Sequence, residues 1–224
     1  MEISDLAPRE RELHGVGRAG NAASAPRTRR QVLRTLGVGS VAVVIGSAVV
    51  PLAAVFDAAP VGAADDGATA AFLQSVELAA VQGYGQASFA GRVTTPAAVS
   101  ALSAYVAHHT AHAQAIGQYA TGGSTGVPNP TLVSALGGQL AATSDEAGVL
   151  TVLSTFETAL ASTYLAAVGT LSANAARVLC ASILVVEAEH AIVLGLGAGT
   201  ALATLVPAFV TEDPKIDPTK YPAS

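Results

Sequence analysis

The sequence predicts an all-α fold: a four-helix bundle made of two antiparallel hairpins, joined by a long crossover and preceded by a hydrophobic leader helix. Three observations support it. Four long apolar segments follow residue 66, with apolar side chains at helical spacing. The segments form two closely joined pairs, and the spacing of their few polar residues repeats from one pair to the other. Since 51% of the 224 residues are hydrophobic and 12% are charged, we expect one apolar core.

The N-terminal region has the composition of an export signal. Residues 1–34 are polar, hold seven of the eleven Lys and Arg residues and are predicted to be a disordered n-region. Residues 35–64 are predicted to be a hydrophobic signal or anchor segment, because 35–56 are uncharged and small residues follow them. We expect cleavage after Ala63 or Ala64.

Arg29 and Arg30 lie in the pattern Thr-Arg-Arg-x-Val-Leu, which resembles a twin-arginine signal, a route for folded proteins. The resemblance predicts export across the cytoplasmic membrane, to a periplasm, a cell envelope or the medium. One alternative is an uncleaved anchor that attaches the protein to a membrane through residues 35–56, because about 20 apolar residues can span a bilayer. The other is a helix buried in the domain.

Residues 66–206 are predicted to be the bundle, and its four helices cover roughly residues 67–90, 96–120, 146–171 and 172–199. Short links within each pair predict antiparallel hairpins. A Gly-rich stretch and a short apolar piece, residues 131–143, form the crossover. Residues 207–224 contain four prolines and are predicted to be a tail, either extended and mobile or laid on a surface.

Ionisable residues occupy positions in the apolar stripes where core leucines would otherwise lie. In the fourth helix, for example, Leu179, Ile183, Glu187, His190 and Leu194 follow one another at spacings of three and four. The ionisable residues of the four stripes are Glu77, His109, His112, Glu157, Glu187 and His190.

An unpaired carboxylate in an apolar core costs several kcal/mol. Between residues 67 and 211 the basic side chains other than histidine are Arg92 and Arg177, which lie at predicted helix ends. A metal is the simplest remaining explanation, because it turns converging carboxylates and imidazoles into ligands.

The two halves of the bundle share a pattern. Glu77 precedes Tyr84 by seven residues, as Glu157 precedes Tyr164. The pair His109-x-x-His112 follows Glu77 at nearly the same separation as Glu187-x-x-His190 follows Glu157. Since residues at i and i+3 face the same way, two packed hairpins would bring six candidate ligands to one level.

This arrangement resembles the ferritin-like carboxylate proteins, which hold two irons in a bundle and have a similar crossover. The exported, Ala-rich character resembles bacterial ferritin-like proteins related to desiccation-associated ones. The resemblance covers roughly residues 69–199 and implies the following roles. Glu77 and Glu157 would be terminal ligands, Glu187 a bridging carboxylate, and His112 and His190 imidazole ligands. Tyr84 and Tyr164 would hydrogen-bond to the ligand carboxylates, and either could take part in redox chemistry.

His109 departs from the family pattern, which has Glu there. A neutral imidazole offers one lone pair and bridges two metals only when fully deprotonated. The set could hold two metals with one carboxylate bridge and water, or one metal with the other groups hydrogen-bonded. We expect iron, as a di-iron centre, or manganese, with zinc as an alternative because histidine shifts the preference toward zinc or copper.

Two nearby ionisable residues receive structural predictions. His108 is predicted to be an exposed or packing histidine. Glu189 is predicted to lie at the surface or in a helix contact, with a carboxylate supporting a ligand as the alternative.

The predicted functions fall into two classes. The first is metal-dependent redox chemistry with oxygen species or ferrous iron. The second is a structural or interaction bundle that has lost its metal site, with a homo-oligomer or envelope partner covering its nearly uncharged surface. A net charge of −5 argues against nucleic acid, and the single Cys180, predicted to be buried, excludes an internal disulfide. No nucleotide-binding or serine-nucleophile motif occurs.

Overall fold

The computed structural model describes residues 42–45, 48–51, 64–121 and 126–223. Residues 64–121 and 126–223 form an all-α four-helix bundle, so the predicted fold class is confirmed. The helices are α1 (Ala64–Phe89), α2 (Pro96–Gly117), α3 (Pro130–Ala141), α4 (Glu146–Thr170), α5 (Asn174–Gly197) and α6 (Leu202–Leu205). The four bundle helices are α1, α2, α4 and α5, and α3 lies in the crossover.

Local signals in the sequence set the helix starts. Pro96 and Pro130 occupy first positions of α2 and α3, where the missing N–H costs nothing. The Asn129 side chain accepts from the backbone N–H of Leu132, and Asp145 accepts from that of Gly148, which caps α3 and α4. Each cap satisfies one of the N–H groups that a helix leaves free at its start.

The helices pack mainly as two hairpins, α1 with α2 and α4 with α5. The crossover helix α3 packs against α1 and α4. Gly83 permits the close approach of α3, because a Cβ there would lie 2.2 Å from Cδ2 of Leu136. The crossover helix α3 is therefore a structured part of the domain.

Two apolar clusters fill the bundle, at different levels along its length. One includes Leu102, Leu150 and Leu153, and the other includes Ile116 and Leu179. On α2 and α5 the buried ionisable residues fall between the segments that contribute to the two clusters, whereas residues of the first cluster flank Glu77 on α1 and Glu157 on α4. The buried ionisable residues therefore lie in apolar surroundings. Cys180 is buried in the second cluster, as predicted.

The C-terminal tail lies on the bundle. Ile216 is buried, and its backbone N–H donates to Oγ1 of Thr163 on α4 at 2.9 Å. The Asn129 side chain donates to the carbonyl oxygens of Tyr221 and Pro222, at 2.9 and 3.1 Å. These contacts join the tail both to the second hairpin and to the start of α3.

The predicted leader helix is wrong at residues 42–51. Here the chain forms two short antiparallel strands, β1 (Ala42–Ile45) and β2 (Ala48–Pro51), in which Val43 pairs with Val50 and Val44 with Val49. Val and Ile are branched at Cβ and favour extended backbone over helix. The n-region, the twin-arginine pair and the rest of the leader up to Ala63 lie outside the described residues, whereas Ala64, the second of the two predicted cleavage positions, is the first residue of α1.

By length and composition, α4 and α5 could each cross a membrane, with mean hydropathies of 1.3 and 1.9. Core helices of soluble bundles pass the same test, and both helices contribute buried residues to the core described above.

Candidate metal centre

The structure brings the six ionisable residues predicted from the stripes into one cluster. Each bundle helix contributes: α1 gives Glu77, α2 gives His109 and His112, α4 gives Glu157, and α5 gives Glu187 and His190. All six are buried, and the most accessible side chain, that of His112, is 7% exposed.

His109 lies at the centre of the cluster. Its Nδ1 donates to Oε2 of Glu77 at 2.8 Å, and its Nε2 donates to Oε1 of Glu157 at 3.1 Å. Since ionised carboxylates only accept hydrogen bonds, both ring nitrogens carry protons in this arrangement. His109 is therefore an imidazolium between the two outer carboxylates.

Glu187 uses its two oxygens on opposite sides. Oε1 accepts from Nδ1 of His112 at 2.7 Å, and Oε2 accepts from Nδ1 of His190 at 3.1 Å. A carboxylate placed in this way can offer one oxygen on the His112 side and the other on the His190 side.

Two tyrosines extend the cluster across the bundle. The Tyr84 hydroxyl on α1 donates to Oε1 of Glu157 on α4. The Tyr164 hydroxyl on α4 donates to Oε1 of Glu77 on α1, at 2.6 Å. Each hairpin thus supplies a phenol to the other's carboxylate, in the pattern that the family resemblance implied. A redox role for either tyrosine stays a prediction.

Opposite charges decide the protonation of the cluster. Burial raises the pKa of Glu77, but attraction to His112 and His109 outweighs it and lowers that pKa to about 2. Burial also opposes the charge of Glu157, yet His109 holds its pKa well below the usual range. Against the effect of burial, Glu187 and Glu77 raise the pKa of His112 to about 9. Glu187 differs from the other carboxylates, because burial and the repulsion of Glu77 raise its pKa.

The donor set fits a metal in two overlapping ways. One group of four donors comprises Glu77, His109, His112 and Glu187, and the other comprises His109, Glu157, Glu187 and His190. Within each group the donor atoms lie within 4.8 Å of one another.

One buried atom supports the fit directly. Among the described residues, Oε2 of Glu157 has no hydrogen-bond partner, and its nearest cationic neighbour is Nδ1 of His190 at 3.5 Å. A buried carboxylate oxygen without a partner is costly, and a cation would satisfy it.

Two further residues contact the cluster from the α2–α5 side. Nδ1 of His108 lies 2.9 Å from Nε2 of His190, and the Tyr105 ring stacks on the His190 ring with centroids 3.8 Å apart. His108 is partly buried rather than exposed, and its position one residue before the stripe gave no signal for this contact. Glu189 is exposed, in agreement with its surface prediction.

The two hairpins are related position by position. The number of Glu157 exceeds that of Glu77 by 80 (157 − 77), and Tyr164 and Tyr84 differ by the same amount (164 − 84). The numbers of His190 and His112 differ by 78 (190 − 112). Equivalent residues of the two hairpins can therefore be compared by two fixed offsets, one for the first helix of each hairpin and one for the second.

The same offsets relate two caps at the helix starts. Asp66 at the start of α1 accepts from the backbone N–H groups of Ser172 and Ala173, just before α5. Its equivalent by the first offset, Glu146, accepts from those of Thr94 and Thr95, just before α2. The second offset relates Thr94 and Thr95 to Ser172 and Ala173. Each hairpin thus caps the other, which holds the two halves in register.

The fold and this cluster define a class: helical bundles with a buried carboxylate and histidine centre. Residues 68–196 match the family model described as a ferritin-like domain, and the chain belongs to that family. The comparisons with curated proteins and with solved structures gave no match.

Proposed function

We propose that this protein is an exported ferritin-like metalloprotein whose buried centre binds one or two ions, iron or manganese, and supports oxidase or peroxide-type redox chemistry. The observation that carries the proposal is the buried cluster of three glutamates and three histidines in an otherwise apolar core, with one carboxylate oxygen lacking a partner. Burial of these charged groups costs desolvation free energy, which a bound cation would offset.

The residues that would hold the ions are the two outer carboxylates, the shared carboxylate and the histidines. Glu77 and Glu157 would bind at opposite ends, with Glu187 between them and His112 and His190 completing the two sides. A bound iron or manganese ion would supply a one-electron couple for reaction with dioxygen or peroxide.

The protein's own groups would control that chemistry. Tyr84 and Tyr164 fix the orientation of the outer carboxylates through their hydrogen bonds. The apolar residues around the cluster exclude bulk water. Of the six residues, His112 and His190 retain some exposure, and both come from α2 and α5. Small molecules would therefore approach between these two helices.

The proposed export has support from the sequence alone, in the basic region with Arg29 and Arg30 and the uncharged residues 35–56. A route for folded proteins would suit a centre that is loaded before export. If the leader were retained, the same segment would anchor the protein to the membrane.

A second candidate function is a structural or interaction bundle without metal. The hydrogen bonds favour it, because three histidines lie against three carboxylates and the cluster can balance its own charge. An interaction surface is available on α5, where Val178, Val185 and Val193 are each about half exposed.

Elemental analysis of the purified protein separates the two functions, with the double variant Glu187→Ala, His190→Ala as the comparison. One or two equivalents of iron or manganese, lost in the variant, would support the metalloprotein. Oxygen or peroxide consumption by the loaded protein would then test the redox activity. No metal in the parent after growth and reconstitution with Fe²⁺ or Mn²⁺, together with a variant that folds equally well, would instead support the structural bundle.

A further inference from the structure

The two four-donor groups overlap at His109 and Glu187, and their overlap limits what they can hold together. We call the group of Glu157, Glu187, His190 and His109 the His190 position. We call the group of Glu77, Glu187, His112 and His109 the His112 position. Glu187 can serve both, because its two oxygens face opposite sides.

His109 can serve one position at a time. A neutral imidazole has one lone pair, and its other nitrogen carries the proton. Nδ1 of His109 lies 2.8 Å from Glu77, and Nε2 lies 3.1 Å from Glu157. If the shorter hydrogen bond, from Nδ1 to Glu77, is retained, the imidazolium releases its Nε2 proton to solvent as the ion enters, and Nε2 then coordinates the ion at the His190 position.

A difference between the two outer carboxylates, Glu77 and Glu157, also favours the His190 position. Both oxygens of Glu77 have close partners: Tyr164 lies at 2.6 Å from Oε1, and His109 at 2.8 Å from Oε2. In contrast, Oε2 of Glu157 has no hydrogen-bond partner among the described residues. The oxygen that most needs a cation therefore belongs to the His190 position.

The histidine ligands differ as well. His108 holds Nε2 of His190, which leaves Nδ1 facing the carboxylates, and Tyr105 stacks on the same ring. A hydrogen bond to the outer nitrogen orients a ligating histidine and raises its basicity. The offset between the second helices relates His108 to Val186, which cannot make an equivalent hydrogen bond to His112.

These differences lead to one inference, which rests on the proposed metal binding. We propose that the centre is asymmetric: one divalent ion binds tightly at the His190 position, through Glu157, Glu187, His190 and Nε2 of His109. The His112 position, left with Glu77, His112 and one oxygen of Glu187, binds a second ion at least about tenfold more weakly.

Calorimetric titration of the metal-depleted full chain with Co²⁺, followed in parallel by visible absorption, tests the asymmetry. We expect one tight equivalent in the parent. Glu77→Gln should retain it, whereas the matched variant Glu157→Gln should raise the Kd for the first ion at least about tenfold. His108→Val, which alters no proposed ligand, should weaken the first ion by about 10 to 100-fold.

His109→Glu provides the converse test, since it restores a second carboxylate able to face both positions. We expect the second ion to bind this variant more tightly than it binds the parent, which narrows the difference between the two Kd values. Circular dichroism and thermal unfolding without metal verify the fold of each variant. If Glu157→Gln does not fold, the comparison of the parent with His108→Val decides the outcome.

The results separate this proposal from the proposed function. Two equivalents of equal affinity in the parent, or equal effects of Glu77→Gln and Glu157→Gln, would overturn the asymmetry and leave metal binding standing. Absence of Co²⁺ binding in the folded parent would overturn the proposed metal binding, and the asymmetry with it.

Discussion

The α1–α2 and α4–α5 hairpins place equivalent positions around the same centre but fill one of them differently. His109 in the first hairpin corresponds to Glu187 in the second, by the offset that relates His112 to His190. Glu187 divides its oxygens between two histidines, whereas His109 divides its nitrogens between two carboxylates. A histidine at the position equivalent to Glu187 thus exchanges a shared hydrogen-bond acceptor for a shared donor, while the helix geometry stays the same.

The hairpins also differ in what covers them. Gly83 on α1 admits Leu136 of the crossover helix α3. Its counterpart in the second hairpin, Thr163 on α4, accepts a hydrogen bond from Ile216 of the tail. A helix and an extended segment thus occupy equivalent places on the two halves. Both lie against the first helix of a hairpin.

The largest expected effect comes from exchanging the two central residues for the same neutral one. His109→Gln removes the cation between Glu77 and Glu157 and should destabilise the metal-depleted protein by about 3–5 kcal/mol, because it leaves buried charge uncompensated. Glu187→Gln removes a carboxylate whose pKa is raised by burial and by the repulsion of Glu77. It should change the stability by less than about 1 kcal/mol.

Urea unfolding in the presence of a chelator measures both free energies. Each glutamine variant is the control for the other, since both place the same neutral side chain at the centre of the cluster. A loss of stability in Glu187→Gln as large as that in His109→Gln would contradict the idea that His109 balances the charge of the cluster.

The two tyrosines offer a finer comparison. Tyr84→Phe leaves Glu157 with the hydrogen bond from His109 at 3.1 Å and with His190 at 3.5 Å, whereas Tyr164→Phe leaves Glu77 with a shorter hydrogen bond from His109, at 2.8 Å, and with His112 at 3.6 Å. We expect losses of about 2 kcal/mol for Tyr84→Phe and about 1 kcal/mol for Tyr164→Phe in the metal-depleted protein.

The same urea titration measures these losses, and the double variant shows whether they add. Saturation with a metal that binds at Glu157 should reduce the cost of Tyr84→Phe, because the ion would then satisfy that carboxylate. A larger loss in Tyr164→Phe would reverse the ranking of the two carboxylates.

The sequence alone predicted the bundle helices and the convergence of the stripe residues, since residues in one stripe of each packed helix must meet in the core. Glu77 and His190, for example, come from different hairpins yet join one cluster. The contact of His108 with His190 could not be predicted in this way, because it depends on how α2 crosses α5.

The caps could not be predicted either, and the sequence left open whether the tail is mobile or lies on a surface, where the structure places it. Asp66 and Ser172 are far apart in the sequence, and nothing local to either one indicates that they meet. The shared offset between Asp66 and Glu146 was a usable signal, although it becomes meaningful only once the hairpins have been aligned on their glutamates and tyrosines. The strands at residues 42–51 show that a hydrophobic segment rich in Val need not be helical.

The smallest expected effects belong to the two reciprocal caps. Asp66→Asn and Glu146→Gln should each lower the Tm by roughly 2–4 °C at pH 7, because each weakens hydrogen bonds to helix-start N–H groups of the other hairpin. The two sites are independent, so the double variant should show the sum.

The pH dependence of the Tm difference distinguishes the loss of a cap from an ordinary surface substitution. Backbone and side-chain hydrogen bonds lower the pKa of Asp66, and those from Thr95 and Thr94 lower that of Glu146 to about 2. A carboxylate with a lowered pKa contributes stability above its unfolded value, near pH 4 to 4.5, and loses that contribution as the pH falls toward its folded value. The Tm difference between parent and variants should therefore be full at pH 7 and shrink as the pH approaches about 2. A Tm difference that stays constant over this range would show that the packing of these two side chains, and not their ionisation, stabilises the protein.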